Sequence, residues 1–226
     1  MSEDLLIGID VEKRFGETTA LGGASISVAP GEVVAVMGPS GSGKSTLLHS
    51  LAGILRPDAG EVWFDGLRVD SASETTRTKL RRTSFGFVFQ LGQLVGELSL
   101  LENVAMPLLL AGGHRRDASV EAAGWLSRLG VEGVADHRPG EVSAGQAQRA
   151  AVARALIHRP RIVFADEPTG ALDSLAGEHV MELLVGAAKE DGVAIVLVTH
   201  DVRVAAYADR EVIVRDGRVA NATVAA

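Results

Sequence analysis

The run GPSGSGKST, Gly38 to Thr46, constrains this chain more than any other feature. It lies between the continuous apolar stretch EVVAVMG, which reads as a buried parallel strand, and a helix. Gly38, Gly41 and Gly43 allow the backbone to curl so that successive N–H groups point inward at phosphate oxygens. Lys44 supplies a compact positive charge at the β- and γ-phosphates, and the Ser45 hydroxyl is a ligand for Mg²⁺. Pro39, Ser40, Ser42 and Thr46 complete the cradle. A glycine-rich turn with a chance lysine is the bland alternative, but it requires neither the strand before nor the helix after. That setting implies an α/β chain with a mostly parallel sheet.

The surrounding pattern agrees. The first 70 residues or so read as strands, with Asp65-Gly66 in EVWFDGLRV as a hairpin turn. From about Gly92 to His158 the periodicity becomes helical, clearest around Val120 to Leu129. Two buried strands follow, RIVFAD and AIVLVTH, separated by the helix LAGEHVMELLVGAAKE. A last hairpin turns at Asp216-Gly217. The organisation expected is one domain over residues 1–226. Residues 1–90 and 160–226 form an α/β core with an amino-terminal antiparallel β subdomain, and 91–159 form a helical insertion.

Composition removes several classes. The net charge of −7 disfavours nucleic acid as a partner, since a phosphate backbone rewards clustered Lys and Arg. The basic patch RTKLRR (Arg77 to Arg82) reads as a solvated face. No cysteine is present, which excludes disulfides, thiolate metal sites and cysteine nucleophiles. The acidic start MSEDLLIGID lacks the pattern of a signal peptide, and the apolar stretches fall far short of the ~20 residues that span a bilayer. A cytoplasmic chain is expected, serving any membrane process from the surface through a partner.

Other polar residues stand at strand and helix ends. RIVFADEPTG puts Asp166 and Glu167 at the mouth of a strand, where Asp166 can hold Mg²⁺ through water and Glu167 can orient or deprotonate an attacking water. A turn or a cap explains the same pair, and the phosphate loop shifts the balance to chemistry. His200 and Gln90 also close strands, and ligands gather at the carboxyl ends of parallel strands. The other five histidines lack such a setting. VSAGQAQRAAVARAL (142–156) holds a second helix start, with Ser143 as N-cap and a flanking glycine, suited to an anion.

Taken together, these motifs resemble the ATP-binding subunit of ATP-binding-cassette (ABC) transporters, over nearly the whole chain. Gly38 to Thr46 matches the phosphate loop and Gln90 the Q-loop glutamine. VSAGQ stands at the signature, usually Leu-Ser-Gly-Gly-Gln; IVFADE is the second nucleotide motif, GALD through Asp173 the D-loop, and His200 the switch histidine. Phe15 stands where the family places its adenine-stacking aromatic. The resemblance implies ATP and Mg²⁺ as cofactors, with Ser45, Gln90 and Asp166 at the metal. It also implies a head-to-tail dimer, homodimeric or pseudo-dimeric, in which Ser143, Gly145 and Gln146 contact the nucleotide of the other subunit. A transmembrane permease is the implied partner, with the chain peripheral on the inner face of the membrane. QLVGELSLLENVAMPLLLAG (93–112) is similar to the lipoprotein-release and macrolide-exporter branch and marks the part that would grip a permease loop. An internally packed amphipathic helix explains its leucines equally well.

The chain departs from the pattern at Ala144, which replaces the first signature glycine, at Val142 and at Ala147. A poorly hydrolysing ATP sensor and an ATP-driven signalling partner of a membrane protein therefore stand as alternatives to a transport ATPase.

Overall fold

A computed structural model describes residues 4–90 and 93–224. The chain runs β1 (Leu6–Phe15), β2 (Thr18–Val28), β3 (Val33–Met37), α1 (Lys44–Leu51), β4 (Ala59–Phe64), β5 (Leu67–Arg68), α2 (Glu74–Thr83) and β6 (Phe85–Phe89). Three helices follow, α3 (Leu100–Leu110), α4 (Arg115–Arg128) and α5 (Ala144–Leu156). The remainder is β7 (Ile162–Asp166), α6 (Ser174–Glu190), β8 (Ala194–Val198), α7 (Val202–Ala205), β9 (Arg210–Arg215) and β10 (Arg218–Val224).

The unbroken apolar runs decide the architecture. A strand with no polar face must be covered on both sides. In β7, Ile162 and Phe164 face one core while Val163 and Ala165 face another; in β8, Val196 and Val198 are divided in the same way from Ile195 and Leu197. The sheet containing them has the order β10-β9-β3-β8-β7-β6, parallel throughout except for β10. One core unites its first face with α1 and the antiparallel sheet β2-β1-β4-β5, and the other unites its second face with α3, α4, α5 and α6. The α/β class, the amino-terminal antiparallel sheet and the antiparallel edge all match expectation.

Both anticipated hairpins form by two-residue turns. Phe64 pairs with Leu67 and Arg215 with Arg218, and Asp65, Gly66, Asp216 and Gly217 all have positive φ. That is the conformation which suits the right-handed twist of the flanking strands.

Between β6 and β7 the helices start later than the periodicity implies. The expected onset at Gly92 lies outside the described residues, and α3 begins only at Leu100. The cause is Asn103, fully buried, whose side chain accepts from Val95 N–H and donates to the carbonyls of Val95, Leu98 and Ser99. A reciprocal cap between Ser99 and Glu102 then starts the helix. The basic patch lies on α2, which has no buried residue, and Glu74 binds both Arg77 and Arg81.

The α5 helix packs so tightly on β6 that a Cβ at Gly86 would meet the Ala155 carbonyl at 2.4 Å. Gly86→Ala is expected to cost about 1–3 kcal/mol, as overpacking does. Urea denaturation measures it, and an unchanged midpoint would mean that the helix can shift freely on the sheet.

Candidate active site

At Gly38, Gly41 and Gly43 the backbone has φ of 147°, 78° and 102°, values that other residues rarely adopt. At two of the three the space is closed as well. A Cβ at Gly38 would lie 2.1 Å from the Val214 carbonyl, and one at Gly43 would lie 2.4 Å from that of Ala20. The turn between β9 and β10 braces the loop from behind: Gly217 N–H donates to Ser42 O at 3.0 Å. Gly43 caps α1 without any side-chain hydrogen bond, so the first N–H groups of the helix face the loop's interior. Lys44 is buried there, its ammonium donating to the carbonyls of Gly38 and Pro39 at 2.9 Å each.

Two strand ends meet this loop. The Ser45 hydroxyl donates to Asp166 at the end of β7 across 3.1 Å. Burial pushes the Asp166 carboxyl above the ordinary carboxylate value, against the opposing pull of the Ser45 hydrogen bond. Glu167 has a left-handed backbone, φ 47°, held by a bond from its N–H to Val198 O. This conformation is uncommon outside glycine and typical of functional sites. It places the Glu167 carboxylate 2.7 Å from Nδ1 of His200, just beyond β8. Pro39 to Gly41, Gly43 to Thr46, Gln90, Glu167 and His200 surround one cleft of about 800 Å³.

Ser143, Gly145 and Asp173 line a different, smaller hollow of about 250 Å³. Ser143 and Gln146 cap each other: the Ser143 hydroxyl accepts from Gln146 N–H, and the Gln146 carbonyl oxygen accepts from Ser143 N–H. One acceptor of the serine is thus committed, while its O–H remains a donor. Ala144 opens α5 and has no positive φ, as expected for a first-turn residue. Asp173 caps α6 by accepting from Ala176 N–H. Phe15 lies apart from both hollows, at the end of β1, half exposed beneath the Lys13 ammonium. His49, grouped in the sequence with the ordinary histidines, places Nε2 4.0 Å from Asp166; only α1 packing beside β7 brings them together.

A third feature is an apolar groove of about 580 Å³ between the sheet and the helices after β6. Phe87, Met106, Pro107 and Leu110 line it, with Arg81 and Arg82 at its rim. In α3, Leu100 and Val104 are buried while Leu110 is 62% exposed. The leucine-rich stretch therefore serves the core at one end and the surface at the other.

Asp166 carries an electrostatic cost that Asn would not. Its raised pKa means that this cost is absent where the carboxyl is protonated in both folded and unfolded states. It grows as pH rises through the ordinary carboxylate range. Asp166→Asn in the nucleotide-free chain is expected to melt higher than the parent chain at neutral pH. The gain should shrink in acid. A lower Tm in calorimetry would show instead that the carboxylate is net stabilising.

A family model described as ABC transporter matches residues 21–170. The lipoprotein-releasing system ATP-binding protein LolD 2 of Caulobacter vibrioides is 46% identical over 223 residues, 97% of this chain and 98% of that protein. LolD of Granulibacter bethesdensis is 45% identical, with 90% of this chain and 89% of the relative covered. Among solved structures, the ATP-binding cassette MJ0796 in a dimeric post-hydrolysis state with ADP and Pi has a TM-score of 0.90 at 38% identity, covering 97% of this chain and 98% of that one. The fold is shared with these cassettes, and the chain belongs to the ABC transporter family as an ATP-binding ATPase cassette.

Proposed function

We propose that this chain is the ATP-hydrolysing subunit of a lipoprotein-releasing transporter, bound to a transmembrane permease at the inner face of the membrane. The observation that carries the ATPase part is the convergence of Lys44, Ser45, Asp166, Glu167 and His200 on one cleft. The LolD names of relatives matching nearly the full chain support the transport part. Among the described residues no helix is long and apolar enough to cross a membrane.

In this reading the loop amides and Lys44 hold the triphosphate, and Phe15 stacks on the adenine. The oxygen donors Ser45 and Asp166, already 3.1 Å apart, suit a hard dication, with Gln90 as a further ligand. Magnesium there would neutralise charge on the phosphate oxygens. Glu167 takes the proton of the attacking water, and His200 holds its carboxylate in line. The signature hollow serves the nucleotide of a second copy or homologous subunit: the Ser143 O–H and the helix-end amides near Gly145 and Gln146 contact the γ-phosphate, with Asp173 alongside. Ala144 keeps an ordinary helical backbone, which favours a working signature over a purely sensing one. Residues 1–90 and 160–226 act as the nucleotide core. Residues 91–159 form the arm whose groove accepts an apolar cytoplasmic segment of the permease.

Glu167→Gln is expected to keep ATP affinity, stop phosphate release and accumulate a dimer with ATP on size exclusion. Hydrolysis at the wild-type rate would remove Glu167 from its role. Leu110→Glu, at the groove, is expected to lower co-purification with the membrane partner at least tenfold while nucleotide binding stays unchanged. Undiminished co-purification would move the permease contact elsewhere.

A further inference from the structure

One buried polar side chain touches both motif-bearing strand ends and belongs to neither. Gln148, on the first turns of α5, is 2% exposed. Its Nε2 donates to the carbonyl of Phe89 at 3.0 Å and to that of Pro168 at 2.6 Å, using both amide hydrogens. Phe89 immediately precedes Gln90, and Pro168 immediately follows Glu167. A buried amide shared between two carbonyls is a stiff link, because losing either bond leaves a polar group unsatisfied out of water.

We infer that Gln148 is a positioning residue. It ties the helix that begins at Ser143 to the backbones that carry Gln90 and Glu167, and so fixes where those two side chains stand. The inference rests on the ATPase reading above. Two further observations give it direction. Gly86, three residues before Phe89, leaves no room between β6 and α5, so the backbone beneath the link is already fixed. Gly170 lies against the Gln90 side chain, where a Cβ would meet Gln90 Nε2 at 2.9 Å. The segment after Glu167 and the Q-loop glutamine are therefore close neighbours, and buried Gln148 holds their backbones together. A shift of α5 pulls on both carbonyls at once. Gln148 is not among the residues that line the phosphate cleft, so its loss should spare binding and impair chemistry, which depends on placement within about an ångström.

The test compares Gln148→Met, similar in length but without the donor, with Val152→Ala, which opens a cavity one helical turn further along and meets neither carbonyl. Val152 is fully buried in the helical core. ATP affinity, phosphate release and Tm are measured on the complex purified with its membrane partner. Gln148→Met should keep the ATP Kd within threefold and lower kcat at least tenfold. Val152→Ala should lose stability with kcat within twofold of wild type. If Gln148→Met does not fold, Gln148→Asn, which withdraws the amide by one methylene, is judged by the same criteria. A kcat within threefold of wild type would overturn the inference, as would equal losses of kcat in both variants or a fall in ATP affinity matching the fall in kcat. Glu167→Gln, measured in parallel, keeps the two readings apart. If wild type itself releases no phosphate, the ATPase assignment fails; if Glu167→Gln still hydrolyses ATP, Glu167 loses its role; if Glu167→Gln is inert while Gln148→Met turns over normally, only the positioning role fails.

Discussion

The shape of the loop from Gly38 to Thr46 depends on the absence of three side chains. At Gly38 and Gly43 the loop backbone comes so close to the Val214 and Ala20 carbonyls that no β-carbon fits, and at Gly41 the backbone angle alone excludes one without strain. Close approach and positive φ together turn the N–H groups inward and leave the end of α1 uncapped by any side chain. Lys44 can then be buried, because backbone carbonyls receive its ammonium. A buried lysine without such acceptors would be costly. The loop is thus a backbone device, and its side chains are secondary to its shape.

The carboxylates at the cleft work by contrast with one another. Asp166 is sheltered, and burial holds its proton more tightly than usual. Glu167, the next residue, reaches His200 only because its backbone takes a left-handed turn. Two adjacent acids would otherwise point to opposite sides of the strand. The turn brings both to the same opening, so the local strain has a structural return. The sheet makes this possible: β7 and β8 lie side by side and in register, and their carboxyl ends present Glu167 and His200 together.

Much of this was legible in the sequence because the chemistry there is local. Gly38 to Thr46 could be read from consecutive residues, and the strand-end residues from apolar runs that stop at a polar group. The hairpin turns at Asp65 and Asp216 were legible for the same reason. What was not legible depends on distant partners. His49 meets Asp166 only through packing of α1 against the sheet, and Asn103 delays α3 by gripping a segment that no periodicity reveals. Gln148 lies on an alanine-rich helix, and nothing in its neighbours in sequence reports the two carbonyls it holds. The leucines of α3 were ambiguous as sequence and are divided in the structure, some in the core and some at the groove.

The contact between the phosphate loop and the last hairpin also bears on how the chain acquires its shape. Gly38 packs on Val214 and Ser42 bonds to Gly217, so residues from the first fifth of the chain take their final form against residues from the last tenth. Closing so long a loop is slow relative to local pairing. During vectorial synthesis β3 and the glycine loop emerge early, yet their brace is made only after almost everything else has been translated. A nascent or truncated chain would therefore carry the complete motif in an unbraced loop. Nucleotide binding marks not only a cassette that is present but one whose chain has been completed through β9 and its turn.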